Sequence, residues 1–231
     1  MRTDERPLSA VPAWLWAALV CVLASQLAWH RLAVPEGSGS AADLPSPPRP
    51  AALRLAAFGE EPAAARVAML YLQSFDVAGF LPERVIGWLQ AALGLDRRAA
   101  YPLFSAARIY AEVPDAQRSR AMLQFIHREF QDDPNRRWPW LAHAALLAKH
   151  RLRDLPLARR YAADLERKVT ATDVPMWATQ MEIFILEDMN ELEAARILLG
   201  GLLESGKVRD PGEARFLKER LDELERRSAG R

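Results

Sequence analysis

From about residue 51 onward, apolar residues recur every three or four positions, and polar residues occupy most positions between them. This spacing places the apolar side chains on one face of a helix and predicts amphipathic α-helices. No run has the alternating, valine- and threonine-rich pattern of a strand. Proline, glycine and aspartate divide the pattern into predicted helices near residues 62–76, 83–95, 100–112, 115–131, 137–151, 155–168, 175–188, 191–205 and 212–227. The body of the protein is therefore predicted to be all-α.

Several predicted boundaries carry the residue types that helix ends favour. Asp115 and Asp133 can each accept hydrogen bonds from free backbone N–H groups, and the proline beside each loses no needed donor. Gly206 follows an apolar run and predicts a helix stop. Gly200 and Gly201 lie inside a predicted helix, where we expect them to mark a close approach of two helices.

A second regularity relates the helices to one another at an interval of 37 residues. Four columns of residues follow it: Ala121, Ala158 and Ala195; Leu103, Trp140 and Trp177; Ile109, Leu146 and Ile183; and Tyr110, Leu147 and Phe184. Recurrence at an interval of this size is typical of stacked helix hairpins, which bury a continuous core and leave long grooves. Trp140 and Trp177 are accordingly predicted to fill the core.

Two segments within this region resemble the second helix of a tetratricopeptide repeat. In each, a short turn leads to an acidic residue, a large apolar residue and, three positions further, a small alanine, as in Asp154-Leu155-x-x-Ala158 and Glu191-Leu192-x-x-Ala195. The similarity covers roughly residues 100–210. It implies a domain of antiparallel helix hairpins stacked into an α-solenoid, for which we expect residues 51–228. It also implies a concave face that binds a peptide or another protein.

The amino-terminal region follows a different pattern. Residues 11–29 contain no charge and are long enough to cross about 30 Å of hydrocarbon as a helix. We therefore expect a transmembrane helix over residues 11–30, after a short segment, 1–10. A cleaved signal peptide is the alternative, with Val22-Leu23-Ala24 as its cleavage site.

Residues 31–50, which follow this apolar run, are rich in proline, serine and glycine and predict an extended, partly flexible linker that contributes nothing to the core. The lysine and arginine bias of the flanks, with Arg2 and Arg6 before the run and Arg31 after it, is small. It favours a helical domain outside the cytoplasm.

Composition narrows the functions that remain. With 31 basic and 30 acidic residues, the net charge is +1, which gives no global field to attract nucleic acid. The single cysteine, Cys21, cannot form an intramolecular disulfide or a multi-cysteine zinc site. The histidines match no metal-binding spacing, and there is no nucleophile elbow or phosphate-binding glycine loop. We expect no catalytic activity, cofactor, metal or small-molecule substrate.

Charge is distributed unevenly along the helical body. From Ala116 to Lys168, 12 basic residues stand against 6 acidic ones, whereas from Val169 to Gly206 a single arginine stands against 7 acidic residues. The sequence therefore predicts a domain with a basic part and an acidic part, although ordinary surface charge with internal pairing is the simpler interpretation.

The stretch RRWPW, beginning at Arg136, is the strongest candidate for a binding site. Its arginines lie near a predicted helix start, where the helix dipole disfavours positive charge. Pairing with Asp132 and Asp133 is one explanation, and a partner surface is the other, because arginine and tryptophan are enriched at interface hot spots. The candidate partner-binding residues are Arg136, Arg137, Trp138, Arg151, Arg153, Arg159 and Arg160. Their charges are predicted to lie within about 8 Å of one another, beside an exposed Trp138.

These patterns together predict a membrane-anchored scaffold for protein–protein interaction. We expect a single-pass protein of a bacterial inner membrane, anchored through residues 11–30, with its helical domain in the periplasm. The alternative is a structural or assembly subunit of a larger membrane complex with no exchangeable ligand. In both cases the expected partners are proteins, and nucleic acid is not expected.

Overall fold

The computed structural model describes residues 12–32, 44–76, 79–206, 208 and 210–229. Within these ranges the chain is all-α, with twelve α-helices and no strand. The helices are α1 (Ala13–Leu32), α2 (Pro50–Ala56), α3 (Glu61–Gln73), α4 (Pro82–Leu95), α5 (Tyr101–Ser105), α6 (Ala116–Asp132), α7 (Pro134–His150), α8 (Leu155–Lys168), α9 (Met176–Thr179), α10 (Met181–Asp188), α11 (Leu192–Glu204) and α12 (Pro211–Ala229). A π-helical turn, Ala106–Tyr110, continues α5. Every helix predicted for the body is present, the one near 175–188 as the pair α9 and α10, whereas α2 was not predicted.

The helix ends test the capping predictions. The carboxylate of Asp115 accepts hydrogen bonds from the backbone N–H groups of Gln117 and Arg118, both at 2.9 Å, so this cap is confirmed. Asp133 stands at the start of α7, but its carboxylate caps no backbone N–H and instead accepts from Nε of Arg136 at 3.1 Å. The capping prediction for Asp133 is therefore wrong. Gly206 follows α11 with a φ of +69°, a value that glycine adopts without strain, and it is confirmed as a helix stop.

The helices pack mainly against their neighbours in sequence: α3 on α4, α6 on α7, α7 on α8, α8 on α10, α10 on α11 and α11 on α12. The buried apolar side chains form two clusters. The larger draws on α3 to α8, and the smaller on α10, α11 and α12. Helix α10 contributes to both, through Met181 and Ile185 on one side and Ile183 and Leu186 on the other. It therefore joins the two clusters.

The predicted apolar columns are buried unevenly. Ala158 and Ala195 are fully buried, and Leu103 is nearly so. Trp177, however, is 50% exposed, so the prediction that it fills the core is wrong. Helix α9 is a single turn, and its buried position is occupied by the small side chain of Ala178.

The predicted linker is packed against the body at its carboxyl end. Leu44 is completely buried in the larger cluster. Its carbonyl oxygen accepts from Nη1 of Arg84 at 2.6 Å, and the carbonyl oxygen of Pro45 accepts from Nε1 of Trp88 at 2.7 Å. A side chain at Gly87 would place its Cβ only 3.1 Å from Cγ of Pro47, so glycine permits this close approach.

Residues 44–49 therefore pack against the helical body, and the expectation that the linker contributes nothing to the core is wrong at Leu44. Helix α4 holds these residues through the donors Arg84 and Trp88 and through the space left by Gly87. Residues 33–43 of the linker lie outside the described residues.

The predicted transmembrane segment forms helix α1, which begins at Ala13. Among the described residues, however, no helix combines the length and the apolar character needed to cross a membrane. The 20 residues of α1 include Ser25 and Gln26, which interrupt its apolar run. The prediction of a single-pass membrane protein, anchored through residues 11–30 with a periplasmic domain, is therefore wrong. The predicted segment 1–10 lies outside the described residues.

Candidate functional site

Arg137, the second arginine of the candidate site, lies inside the fold. It is 4% exposed, and its Nη1 donates to the backbone oxygen of Glu129 at 2.6 Å and to Oε2 of the same residue at 2.9 Å. Its Nη2 donates to the backbone oxygen of Arg97 at 3.3 Å. Burial raises the pKa of Glu129, and the charge of Arg137 acts against that shift. Arg137 therefore links α7 to α6 and to the loop after α4, and it has almost no surface left for a partner.

The other arginines do not form one cluster. Arg136 lies in the first turn of α7, whereas Arg151 and Arg153 follow the last residue of that helix. At about 1.5 Å per residue, the helix separates positions 136 and 151 by about 22 Å along its axis. This distance exceeds the Debye length several times over. The prediction that all these charges lie within about 8 Å is therefore wrong.

Arg159 and Arg160 lie in the second turn of α8 and already have partners within the chain. Nε of Arg159 donates to Oε1 of Glu182 at 3.1 Å. The guanidinium carbon of Arg160 lies 5.7 Å from the ring centroid of Tyr161, within cation–π distance. Arg136, Arg151 and Arg153 are exposed. For these five arginines, a role in partner binding stays a prediction.

Partly exposed aromatic side chains contact one another in two groups, one between α5 and α7 and one between α7 and α9. The ring centroids of Tyr101 and Phe104 are 5.8 Å apart, those of Phe104 and Trp140 are 5.9 Å apart, and those of Trp138 and Trp177 are 5.9 Å apart. Trp138 was predicted to be exposed, but it is half-buried, with part of its ring against the larger cluster. We call these five residues the aromatic row.

Helices α6 and α8 are joined by polar side chains that meet at a regular spacing. Nε2 of His127 lies 2.6 Å from Oδ2 of Asp164, and Nζ of Lys168 donates to Oε1 of Gln131; each pair is 37 residues apart. Beyond the two helices, Oδ1 of Asn135 accepts from the backbone N–H of Thr170 at 2.8 Å. The interval of these two helix-to-helix pairs equals the interval of the apolar columns.

Asp164 is the most connected member of this set. Besides His127, its carboxylate accepts from Nη2 of Arg167 at 2.6 Å and from Nε2 of Gln131 at 3.4 Å. Burial, the largest single influence, favours the neutral carboxyl, but the hydrogen bonds from His127 and Arg167 outweigh it and the pKa of Asp164 is lowered. The folded protein therefore favours the ionised form.

This lowered pKa gives a stability contribution with a defined pH range. Because the folded pKa lies below the unfolded value of 3.8, the contribution is present above pH 3.8 and is lost as the pH falls through the folded pKa. We expect Asp164→Asn to lower the free energy of unfolding by about 2 kcal/mol at neutral pH. Urea titrations should show the difference in unfolding free energy between Asp164→Asn and wild type narrowing toward about pH 2. The exposed Asp173→Asn is the control, with little effect at either pH. A gap of constant size for Asp164→Asn would contradict this assignment.

A groove of about 1030 Å³ lies between the end of α8, the segment that leads to α9, and helix α11. Its apolar lining includes Val169, Val174, Ile183, Ile197, Leu198 and Leu202. Among the described residues, four carboxylates also line it, from Glu166, Glu182, Asp210 and Glu213, against the single guanidinium of Arg167. The groove therefore combines exposed apolar surface with an excess of negative charge.

The groove was not predicted from the sequence, and the two glycines beside it were predicted to have the opposite role. A Cβ added at Gly200 or Gly201 would meet no atom within 4 Å, so the predicted close helix approach at this pair is wrong. Two signals were present in the sequence: the acidic stretch from Val169 to Gly206, and Ile197, which stands 37 residues after the exposed Arg160.

Two histidines outside any predicted site also have partners: His127 with Asp164, as above, and His143, whose Nε2 lies 3.1 Å from Oε1 of Glu112. In the part of the chain that the structure describes, no three side chains of histidine, cysteine, aspartate or glutamate gather closely enough to hold a metal ion.

Comparison of the chain with protein-family models, with curated proteins and with solved structures finds no match in any of the three. The geometry of the aromatic row and of the groove therefore carries the functional argument.

Proposed function

We propose that this protein is a helical-repeat module, similar to tetratricopeptide repeats, that binds other proteins. The observation that carries the proposal is the link between α6 and α8 through pairs 37 residues apart. Stacked hairpins require the same helix positions to meet from one unit to the next, and the packing of helices on their sequence neighbours agrees with such an arrangement.

The aromatic row supports a binding role for the module. Tyr101, Phe104 and Trp177 are 45%, 37% and 50% exposed, although large aromatic side chains are normally withdrawn from water. Aromatic residues are enriched where protein interfaces gain most of their binding free energy. Phe104 contacts Trp140 and Trp177 contacts Trp138, so a partner that binds both groups would contact α5, α7 and α9.

Site-specific photocrosslinking in the protein's own cells tests this function. A benzophenone amino acid at position 177 is expected to form adducts with defined proteins, identified by mass spectrometry. The same amino acid at Lys218, an exposed position on α12 outside the aromatic row, is the control and should not form them. The proposal fails if position 177 forms no adduct, or if both positions capture the same proteins equally.

A second function is favoured by the apolar surface of α2, α3 and the turn between them. Leu55, Phe58, Val67 and Leu70 are 80%, 93%, 64% and 66% exposed. A permanent assembly subunit would cover such residues in its complex. Light scattering on the purified full chain separates the two functions, since an exchangeable-partner module stays monomeric or dimeric, whereas an assembly subunit aggregates without its complex.

A further inference from the structure

The groove lies beside Gly201 of α11, the position that corresponds to Asp164 of α8 at the 37-residue interval. The carboxylate of Asp164 is hydrogen-bonded to His127, and Nζ of Lys168 donates to Gln131, so both residues are linked to the preceding unit. The residues 37 positions after Asp164 and Lys168 are Gly201 and Ser205. Gly201 has no side chain to reach toward α8, and the hydroxyl of Ser205 donates to the carbonyl oxygen of Leu202 in its own helix, at 2.6 Å. The equivalent space therefore stays open.

Helix α11 also differs from α8 in exposing apolar side chains to water at equivalent positions. Arg160 and Tyr161 of α8 correspond to Ile197 and Leu198 of α11. Ile197 is 61% exposed and Leu198 is 39% exposed, and both line the groove. Adjacent exposed aliphatic side chains beside open space are a common sign of an interaction site.

The charged side chains of the groove indicate what kind of ligand it attracts. Among the described residues, Glu166, Asp210 and Glu213 place carboxylates beside the apolar lining, and Glu182 is paired with Arg159. Arg167, the one cation among the described lining residues, is bonded to Asp164. An acidic ligand would be repelled by this surface, whereas lysine or arginine side chains would be attracted to it. The occupant therefore needs both apolar side chains and positive charge.

We infer that this groove binds a basic, apolar segment of a partner protein, an inference that rests on the proposed function and assigns a second surface to it. The groove is lined mainly by α8 and α11, with Met176 and Thr179 of α9, and none of the five residues of the aromatic row lines it. One partner therefore has two separate surfaces available, or two partners can bind at once.

Two synthetic peptides of equal length test the inference with the full chain: an amphipathic leucine–lysine peptide and its leucine–glutamate counterpart, each with a fluorophore for anisotropy. We expect the leucine–lysine peptide to bind, to weaken as salt is added, and to bind at least about tenfold more tightly than the glutamate peptide. Gly201→Leu fills the groove and should weaken this binding by about tenfold or more. Gly200→Leu, one position away and outside the lining, is the matched control and should leave it unchanged.

A second variant, Ile197→Gln, alters an exposed side chain that the fold does not need, and we expect it to weaken binding about fivefold. Thermal melts of all three variants verify folding. The inference is overturned if neither peptide binds, if both bind equally, or if Gly201→Leu and Ile197→Gln bind within about twofold of wild type. A dimer that Gly201→Leu abolishes would instead assign the groove to a second copy of the chain. If the peptide results overturn the groove inference but crosslinks from position 177 persist in Gly201→Leu, the proposed function stands without the groove.

Discussion

Replacing Arg137 with methionine is expected to lower the free energy of unfolding by about 3–5 kcal/mol, the largest effect anticipated for any single polar side chain here. The substitution removes the partner of the Glu129 carboxylate and the donor to the backbone oxygens of Glu129 and Arg97. Because Arg137 is 4% exposed, water cannot readily replace these bonds. Urea titration followed by circular dichroism measures the loss.

The control for this experiment is the adjacent arginine. Arg136→Ala removes an exposed pair with Asp133, and we expect a change of at most about 0.5 kcal/mol. The double variant Glu129→Leu/Arg137→Met should recover about half of the loss, because it no longer buries an unpaired carboxylate. Equal effects of Arg136→Ala and Arg137→Met would mean that both arginines lie on the surface.

Replacing Leu44 with alanine should cost about 2–5 kcal/mol, because it leaves a cavity where a completely buried side chain stood. A free linker would predict no effect at all. Leu55→Ala, at a position 80% exposed, is the matched control and should change stability by less than about 0.5 kcal/mol. The midpoint of urea unfolding for each full-length variant decides between the two expectations.

Two glycines of α4 test the same contact independently. Gly94 has no atom within 4 Å of an added Cβ, so Gly94→Ala should stabilise the helix by about 0.5–1 kcal/mol. At Gly87 the added Cβ would lie 3.1 Å from Cγ of Pro47, and Gly87→Ala should lose that gain or reverse it. An equal gain at both positions would show that residues 44–49 do not pack on α4.

The candidate site could be only partly predicted from the sequence. An arginine near a helix start invites two explanations, pairing or partner binding, and residue type does not separate them. The outcome depends on Glu129 and Arg97, which lie 8 and 40 residues earlier in the chain. Arg136, one residue away, faces solvent, because adjacent helical residues point in directions about 100° apart. A difference of one position along the helix therefore decided that Arg137 is structural and Arg136 is not.

The groove was missed for a related reason. Gly201 is a weak helix former, and in sequence it is compatible with close packing, flexibility or open space. The space around it depends on α8, whose Asp164 and Lys168 bond to α6. Whether a glycine marks a contact or a gap is a property of the neighbouring helix.

The sequence by itself determined the all-α class, most helix boundaries, the cap at Asp115 and the stop at Gly206. These features depend on side chains within a few residues of one another, through helical periodicity and backbone hydrogen bonding. Only the tertiary structure decided that Leu44 is buried, that Trp177 is half exposed, and that Arg137 lies inside the fold. Each of these depends on helices packed across tens of residues, and local pattern carries no information on which faces meet, because the same amphipathic stripe can bury against several neighbours.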